Sequence, residues 1–338
     1  MKEGLCFDDV LLEPQYSDIE SRREIELNNT LKIDEFNIPF KLPVVSSPMD
    51  TVTETDMALA LASRGCLGVI HRYNTIEHQC DIVKQTSPYG VVGAAIGITG
   101  DYYERAAELV KSGAEVLCLD VAHGHHVMVK KALEVLKSNF DTTHIMAGNV
   151  ATLQAFNDLA DWGADSIRCG IGGGSICTTR IQTGHGKPTL QTIIDCAKSD
   201  RDVKLIADGG IKNSGDIVKA LAAGADFVML GSLFAGTDEA PGDTVFQGGV
   251  KHKVYRGMAS REAQNAWRGR TSSLEGVASV VPYKGSVMKI IDELEKGIRS
   301  GLSYSGARNI TEFQSKAILT TQTSAGQFES SAHIGAKN

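Results

Sequence analysis

Cys177 follows directly on the run Gly170-Ile171-Gly172-Gly173-Gly174-Ser175-Ile176. Four glycines in five residues free this backbone from Cβ contacts. A run of free N–H groups that ends in a serine hydroxyl can wrap an anion such as phosphate. A candidate nucleophile therefore sits beside a candidate phosphate cradle, with Thr178-Thr179-Arg180 immediately after it. The plainer alternative is a flexible loop that carries a buried cysteine. Which holds depends on the elements that place the loop.

Composition narrows the classes first. The chain has 338 residues, 42% hydrophobic and 22% charged, an ordinary globular balance. The net charge is −7 and no basic run occurs, which argues against nucleic acid or an anionic membrane surface as partner. No apolar run approaches the ~20 residues that span a bilayer. The stretch MKEGLCFDDVLLEP lacks the apolar centre of a signal peptide, so a cytoplasmic location is expected. Seven scattered cysteines, with no CxxC pair, argue against a disulfide framework or a zinc site. Cys118 and Cys169 fall in apparent strands and read as small buried apolar residues. Cys177 fits that reading least.

One unit recurs along the chain. A helix ends in Gly-Ala-acidic, a short apolar strand follows, then a polar or Gly-rich loop. The clearest copies run through Gly113-Ala114-Glu115, Gly163-Ala164-Asp165 and Gly224-Ala225-Asp226. The spacing predicts helices over 102–112, 153–161 and 214–222, each leading into such a strand. An earlier helix is expected over 57–63, with Thr53 or Thr55 as its N-cap. Strands near residues 44, 67, 92, 117, 145, 167, 205 and 228 make eight. They are short continuous apolar runs, as parallel strands covered on both faces should be. Eight βα units predict a single α/β domain, a closed (β/α)8 barrel; an open doubly wound sheet is the alternative.

In such a barrel the loops after the strands share one mouth. Ser46-Ser47, Asp120, Asn149, Gly172 to Cys177, Asp208-Gly209-Gly210 and Gly231-Ser232 would converge there. After the eighth strand the pattern breaks. Residues 257–284 are polar and read as a mobile flap or lid over the mouth. A helix over 287–299 closes the barrel. The tail 320–338 is polar and by itself reads as disorder.

Taken together these loops resemble the IMP dehydrogenase / GMP reductase family. The resemblance rests on Phe7-Asp8-Asp9-Val10-Leu11-Leu12, Ser46-Ser47-Pro48-Met49-Asp50, Asp120-Val121-Ala122-His123-Gly124-His125, Ala147-Gly148-Asn149, Ser175-Ile176-Cys177-Thr178-Thr179-Arg180, Ala207-Asp208-Gly209-Gly210, Tyr255-Arg256-Gly257-Met258 and Pro282-Tyr283-Lys284-Gly285. They follow the family order over nearly the whole chain. The resemblance implies a purine nucleotide monophosphate as substrate and Cys177 as the nucleophile at purine C2, through a covalent thioimidate. It implies Ser47, Met49, Ser175, Asp208, Gly210, Gly231, Ser232, Tyr255, Met258 and Ala259 at the nucleotide. Asp120, Ala122, His123, Asn149 and Arg168 would face the nicotinamide cofactor, and His125 lies on the same loop. The carbonyls of Gly172, Gly174 and Cys177 match a monovalent cation site, K+ in many members. A homotetramer or octamer is the family expectation. Two positions depart from the family pattern: Gly173 stands where Pro is usual, which should loosen the loop, and Ala259 stands where Gly or Ser is usual.

The family's two activities share the thioimidate and differ in what resolves it. Four features favour GMP reductase, with NADPH, ammonia release and Thr179 with Glu275 as the catalytic pair. No regulatory (CBS) domain interrupts the chain after Ile70-His71-Arg72. The flap holds Trp267-Arg268-Gly269-Arg270 and no Arg-Tyr pair to activate water. Thr183-Gly184 suits the reductase pattern, and Thr179 and Glu275 are both present. Against this, the run from Gly231 to Gly242, the Tyr255-Arg256-Gly257-Met258 segment and the tail from Ser324 to His333 read as dehydrogenase-like. IMP dehydrogenase using NAD is therefore the alternative, and an inactive purine-nucleotide sensor a lesser one.

Overall fold

A computed structural model describes residues 3–33 and 36–330. Eight parallel strands close on themselves: β1 (Val44–Ser46), β2 (Leu67–Ile70), β3 (Val92–Ile96), β4 (Val116–Asp120), β5 (His144–Val150), β6 (Ser166–Cys169), β7 (Lys204–Asp208) and β8 (Phe227–Leu230). β8 pairs with β1, with Val228 opposite Val44 and Leu230 opposite Ser46. The closed (β/α)8 barrel is the architecture expected, and every strand lies where the sequence places it.

The continuous apolar runs have a simple physical origin. Val116 and Cys118 point into the barrel, whereas Leu117 and Leu119 point out to the helices. Both faces are buried, so alternation disappears. The recurrent Gly-Ala-acidic end is equally explicable. Gly163 and Gly224 take left-handed φ values of 103° and 107° that end their helices. Ala164 and Ala225 are buried. The acid then accepts the free N–H at the start of a neighbouring strand, Asp165 from Ile145 and Asp226 from Leu205, each at 2.8 Å.

A hairpin of Asn29–Ile33 and Phe36–Phe40 plugs the barrel floor. Its Leu31, Ile38 and Phe40 join Val45, Leu67, Met146, Ile206 and Phe227 in one apolar cluster. Phe40 meets Phe227 edge-to-face with ring centres 5.7 Å apart.

Two sequence expectations are corrected, the cap of the first long helix and the disorder of the tail. The first long helix is Thr55–Ser63, and neither threonine caps it: Glu54 is at the N-cap, while the Thr53 hydroxyl is turned to Ser46 Oγ and the Ser47 carbonyl at 2.8 Å. Residues 257–284, the expected flap, hold the helix Arg261–Arg268 and the strand Ala278–Pro282, which pairs with Val250–Arg256 in a three-stranded sheet completed by Thr244–Gln247. The tail is ordered in its first part: Leu319–Thr321 pairs with Val10–Leu12 and Ser324–Glu329 is helical. The end of the dehydrogenase-like tail, including His333, lies outside the described residues. β2 passes to the helix Ile76–Thr86 through five residues, so nothing is inserted there. Among the described residues no helix is long and apolar enough to cross a membrane.

Candidate active site

The C-terminal ends of the strands surround a cleft of about 440 Å³. Its floor is built by two glycine loops packed backbone to backbone. Gly170, Gly172, Gly209 and Gly210 have φ values of 149°, 78°, 94° and 80°, a region that only glycine enters freely. A Cβ on Gly170 would lie 1.9 Å from the Asp208 carbonyl. At Gly173 the backbone needs no glycine; a Cβ there would instead strike Thr189 Oγ1 at 2.3 Å. The space beside Gly173 is therefore filled by Thr189.

One side of the cradle collects Ser175, Gly210, Gly231, Ser232 and Tyr255. Tyr255 is buried, and burial pushes its phenol above the usual value, opposed by a hydrogen bond with Ser175. A Cβ on Gly231 would lie 3.2 Å from the Tyr255 hydroxyl, so the space against Tyr255 depends on glycine there. Clustered N–H and O–H donors with no acidic side chain among these five suit a phosphate.

The opposite side is charged. Arg168 is buried between Asp120, at 2.8 Å, and Asp208, at 2.9 Å. Burial disfavours its charge, but the neighbouring groups, Cys118 and the two carboxylates, outweigh that and hold the guanidinium above its usual range. Asn149 Nδ2 donates to Asp208 Oδ2 and to the Gly170 carbonyl, both at 2.8 Å. Asn149 Oδ1 and Arg72 Nε are buried without a hydrogen-bond partner among the described residues.

Between the two sides lies Cys177, half-buried. Its Sγ donates to Thr179 Oγ1 at 3.2 Å, and Thr179 Oγ1 donates to Glu275 Oε2 at 2.8 Å. Glu275 comes from the flap, and its return strand is sewn onto the cysteine loop. Thr178 N donates to the Glu275 carbonyl at 2.9 Å and Val277 N to the Ile176 carbonyl at 3.1 Å. The flap is also latched to the barrel through Asp50, whose carboxylate accepts from Trp267 Nε1 at 2.7 Å and from Arg256 Nε at 3.0 Å. The Asp50 N–H in turn meets Met258 Sδ at 3.2 Å.

Nearly all the residues singled out in the sequence line this cleft, Ser47, Met49, Ala122, Met258, Ala259 and Gly174 among them. His123 is the exception. It is exposed and is not part of the lining. His125 turns away too, pairing with Asp158 at 2.7 Å and stacking on Trp162. The sequence missed Arg72, Tyr73, Gln264, Arg268, Ser272 and Ser273, which all line the cleft. Arg72 and Tyr73 follow β2, so the rule that located Asp120 could have found them. The flap residues carried no such signal. Among the described residues no cluster of acidic, His and Cys side chains could hold a metal ion.

A parallel barrel whose mouth gathers glycine-loop N–H donors, a thiol and a hydrogen-bonded carboxylate has the architecture of a barrel enzyme. Residues 4–333 match the IMP dehydrogenase / GMP reductase domain. The chain is 34% identical to an inosine-5'-monophosphate dehydrogenase of Nitrosopumilus maritimus, covering 98% of each. It is 32% identical to a GMP reductase of Leishmania major, covering 98% of this chain and 97% of that one. A crystal structure of a cysteine-to-alanine variant of GMP reductase from Trypanosoma brucei, in complex with guanosine 5'-monophosphate, superposes with a TM-score of 0.93, at 32% identity and 98% coverage of both chains. The chain belongs to the IMP dehydrogenase / GMP reductase family of oxidoreductases. Its alignments to relatives of both names extend over 471 and 481 residues against a chain of 338. Relatives of both kinds thus contain segments that this chain lacks, and the missing insertion does not separate the two activities.

Proposed function

We propose that the protein is a GMP reductase that converts GMP to IMP and ammonia with NADPH. The observation that carries this reading is the unbroken chain Cys177–Thr179–Glu275, closed by a flap without an Arg-Tyr pair. Cys177 loses its proton toward Thr179 and adds to C2 of the purine. The bond from C2 to the exocyclic nitrogen breaks, and the Thr179–Glu275 pair supplies the proton with which ammonia leaves. When bound, the nicotinamide supplies hydride to C2; the C2–sulfur bond then breaks to give IMP and free Cys177.

The cradle of Ser175, Gly210, Gly231, Ser232 and Tyr255 takes the 5′-phosphate, Asp208 the ribose hydroxyls, and Ser47, Met49, Met258 and Ala259 lie at the nucleoside. That the neighbouring Trypanosoma structure contains guanosine 5'-monophosphate supports this assignment. The unpartnered Asn149 Oδ1 and Arg72 Nε suit a polar cofactor on the side of Asp120, Ala122 and Arg168. A K+ ion would rest on the carbonyls of Gly172, Gly174 and Cys177, of which the Gly174 carbonyl already accepts the Cys177 N–H at 3.1 Å.

The second reading, IMP dehydrogenase, is kept because relatives of both names stand at 34% and 32% identity. Two mixtures decide, each followed by absorbance of the reduced cofactor. Loss of signal with GMP and NADPH, and none gained with IMP and NAD, is expected. Gain only with IMP and NAD, with XMP formed, overturns the proposal.

A further inference from the structure

Gln264 sits on the flap helix and is 3% exposed. A buried amide must satisfy two donors and an acceptor, because an unmet one leaves a desolvated polar group without a partner. Here every valence is used within the flap. Nε2 donates to the carbonyls of Ala259 at 3.0 Å and Ser273 at 2.9 Å. Oε1 accepts from Ser272 N at 2.7 Å and Ser272 Oγ at 3.0 Å. One side chain thus ties the outgoing limb of the flap, at Ala259, to its returning limb at Ser272 and Ser273. The returning limb then continues into the site: Ser273 Oγ donates to Glu275 Oε1 at 3.0 Å, while Thr179 holds Oε2.

This arrangement sets a direction. With Glu275 ionised, both its oxygens accept, Oε1 from Ser273 and Oε2 from Thr179. Giving its proton to Glu275 leaves the Thr179 oxygen free to accept from Cys177.

We propose that Gln264 and Ser273 are positioning residues that hold Glu275 as the proton-accepting end of the Cys177–Thr179–Glu275 chain. The inference rests on reading that chain as the reacting one, yet it does not depend on which purine nucleotide is consumed. Ser272 and Ser273 are exposed, so the returning limb has no apolar core of its own. Among the described residues, Gln264 is the one side chain that ties Ser272 and Ser273 to the outgoing limb; the bonds at Leu274, Glu275 and Val277 restrain the limb only beyond them.

The test uses the full chain with Gln264→Met, Ser273→Ala and Ser273→Thr. Two quantities are read: kcat and KM for nucleotide, and the rate at which iodoacetamide alkylates Cys177 between pH 6 and 9, located by peptide mass. Gln264→Met should lower kcat about tenfold, the scale of one lost hydrogen bond, with KM within about twofold. It should also move the alkylation profile to higher pH. Ser273→Ala should shift the profile in the same direction by less, and Ser273→Thr should restore it. An unmoved profile in both Gln264→Met and Ser273→Ala overturns the inference, as does a rise in KM with kcat unchanged. If the wild type fails to consume GMP, the proposed function falls, while the alkylation profiles still decide the role of Gln264.

Discussion

The two walls of the cleft are built by different physics. The barrel wall is fixed by burial and by charge held in low dielectric: Arg168 between Asp120 and Asp208, above an apolar floor of Phe40, Met146 and Phe227. The flap wall has little apolar burial. It is held by a tie at Gln264, a latch at Asp50 and two backbone bonds to the cysteine loop. Polar ties of this kind open at lower free energy than a packed core. Under the proposed function, the barrel wall supplies most of the nucleotide site and the flap supplies Glu275 for the resolving step.

The largest expected effect separates binding from chemistry. Cys177→Ala should lower turnover about 10³-fold or more while GMP affinity, by calorimetry, stays within a few-fold. Residual turnover near wild type removes the covalent step. Next, Phe40→Ala should lower unfolding stability by about 3–5 kcal/mol in urea titration, with KM for nucleotide unchanged in the surviving folded enzyme. A large KM change would join floor and cradle more closely than the comparison allows. Glu275→Gln, on the flap wall, should cost about 10²-fold in kcat with GMP affinity intact. In single turnover the ammonia step should slow more than the hydride step; equal slowing breaks the role given to Glu275.

The smallest effect concerns the floor. His144 is buried, its Nδ1–H donating to the Lys32 carbonyl at 2.6 Å and its Nε2 meeting Ser166 Oγ at 2.8 Å. Burial holds the imidazole below its ordinary 6.5. The folded chain keeps it neutral, so only the unfolded chain gains its proton as pH falls below about 6.5. Stability should therefore fall from pH 7.5 to 5.5, by at most about 1.4 kcal/mol per pH unit from this group. His144→Gln should flatten that part of the slope. An unaltered slope places the proton elsewhere.

What the sequence displays follows the same division. Burial on both faces writes continuous apolar runs, so all eight strands were legible. The cradle was legible because close backbone approach demands glycine at Gly170, Gly209 and Gly210. Cys177 stands out as a candidate nucleophile beside the glycine loop, whereas its role at C2 and the Thr179–Glu275 pair come from the family resemblance; the 2.8 Å bond between Thr179 and Glu275 gives that pairing a geometry. The flap's internal order was hidden, since Gln264 and Asp50 act through hydrogen bonds that leave no periodicity. His123 is exposed outside the cleft lining, since a position in a mouth loop does not by itself bring a side chain into the cleft. The close packing of Thr189 against Gly173 was not legible, because the two lie sixteen residues apart.

In the proposed reductase this flap, which lacks an Arg-Tyr pair, does not bring water to the thioimidate. Mixing the enzyme with IMP and NADP+, without ammonia, tests it most directly. The account predicts at most one equivalent of reduced cofactor per active site, no XMP, and further turnover to GMP once ammonia is added. Continuous formation of reduced cofactor with XMP accumulating, in the absence of ammonia, would contradict it.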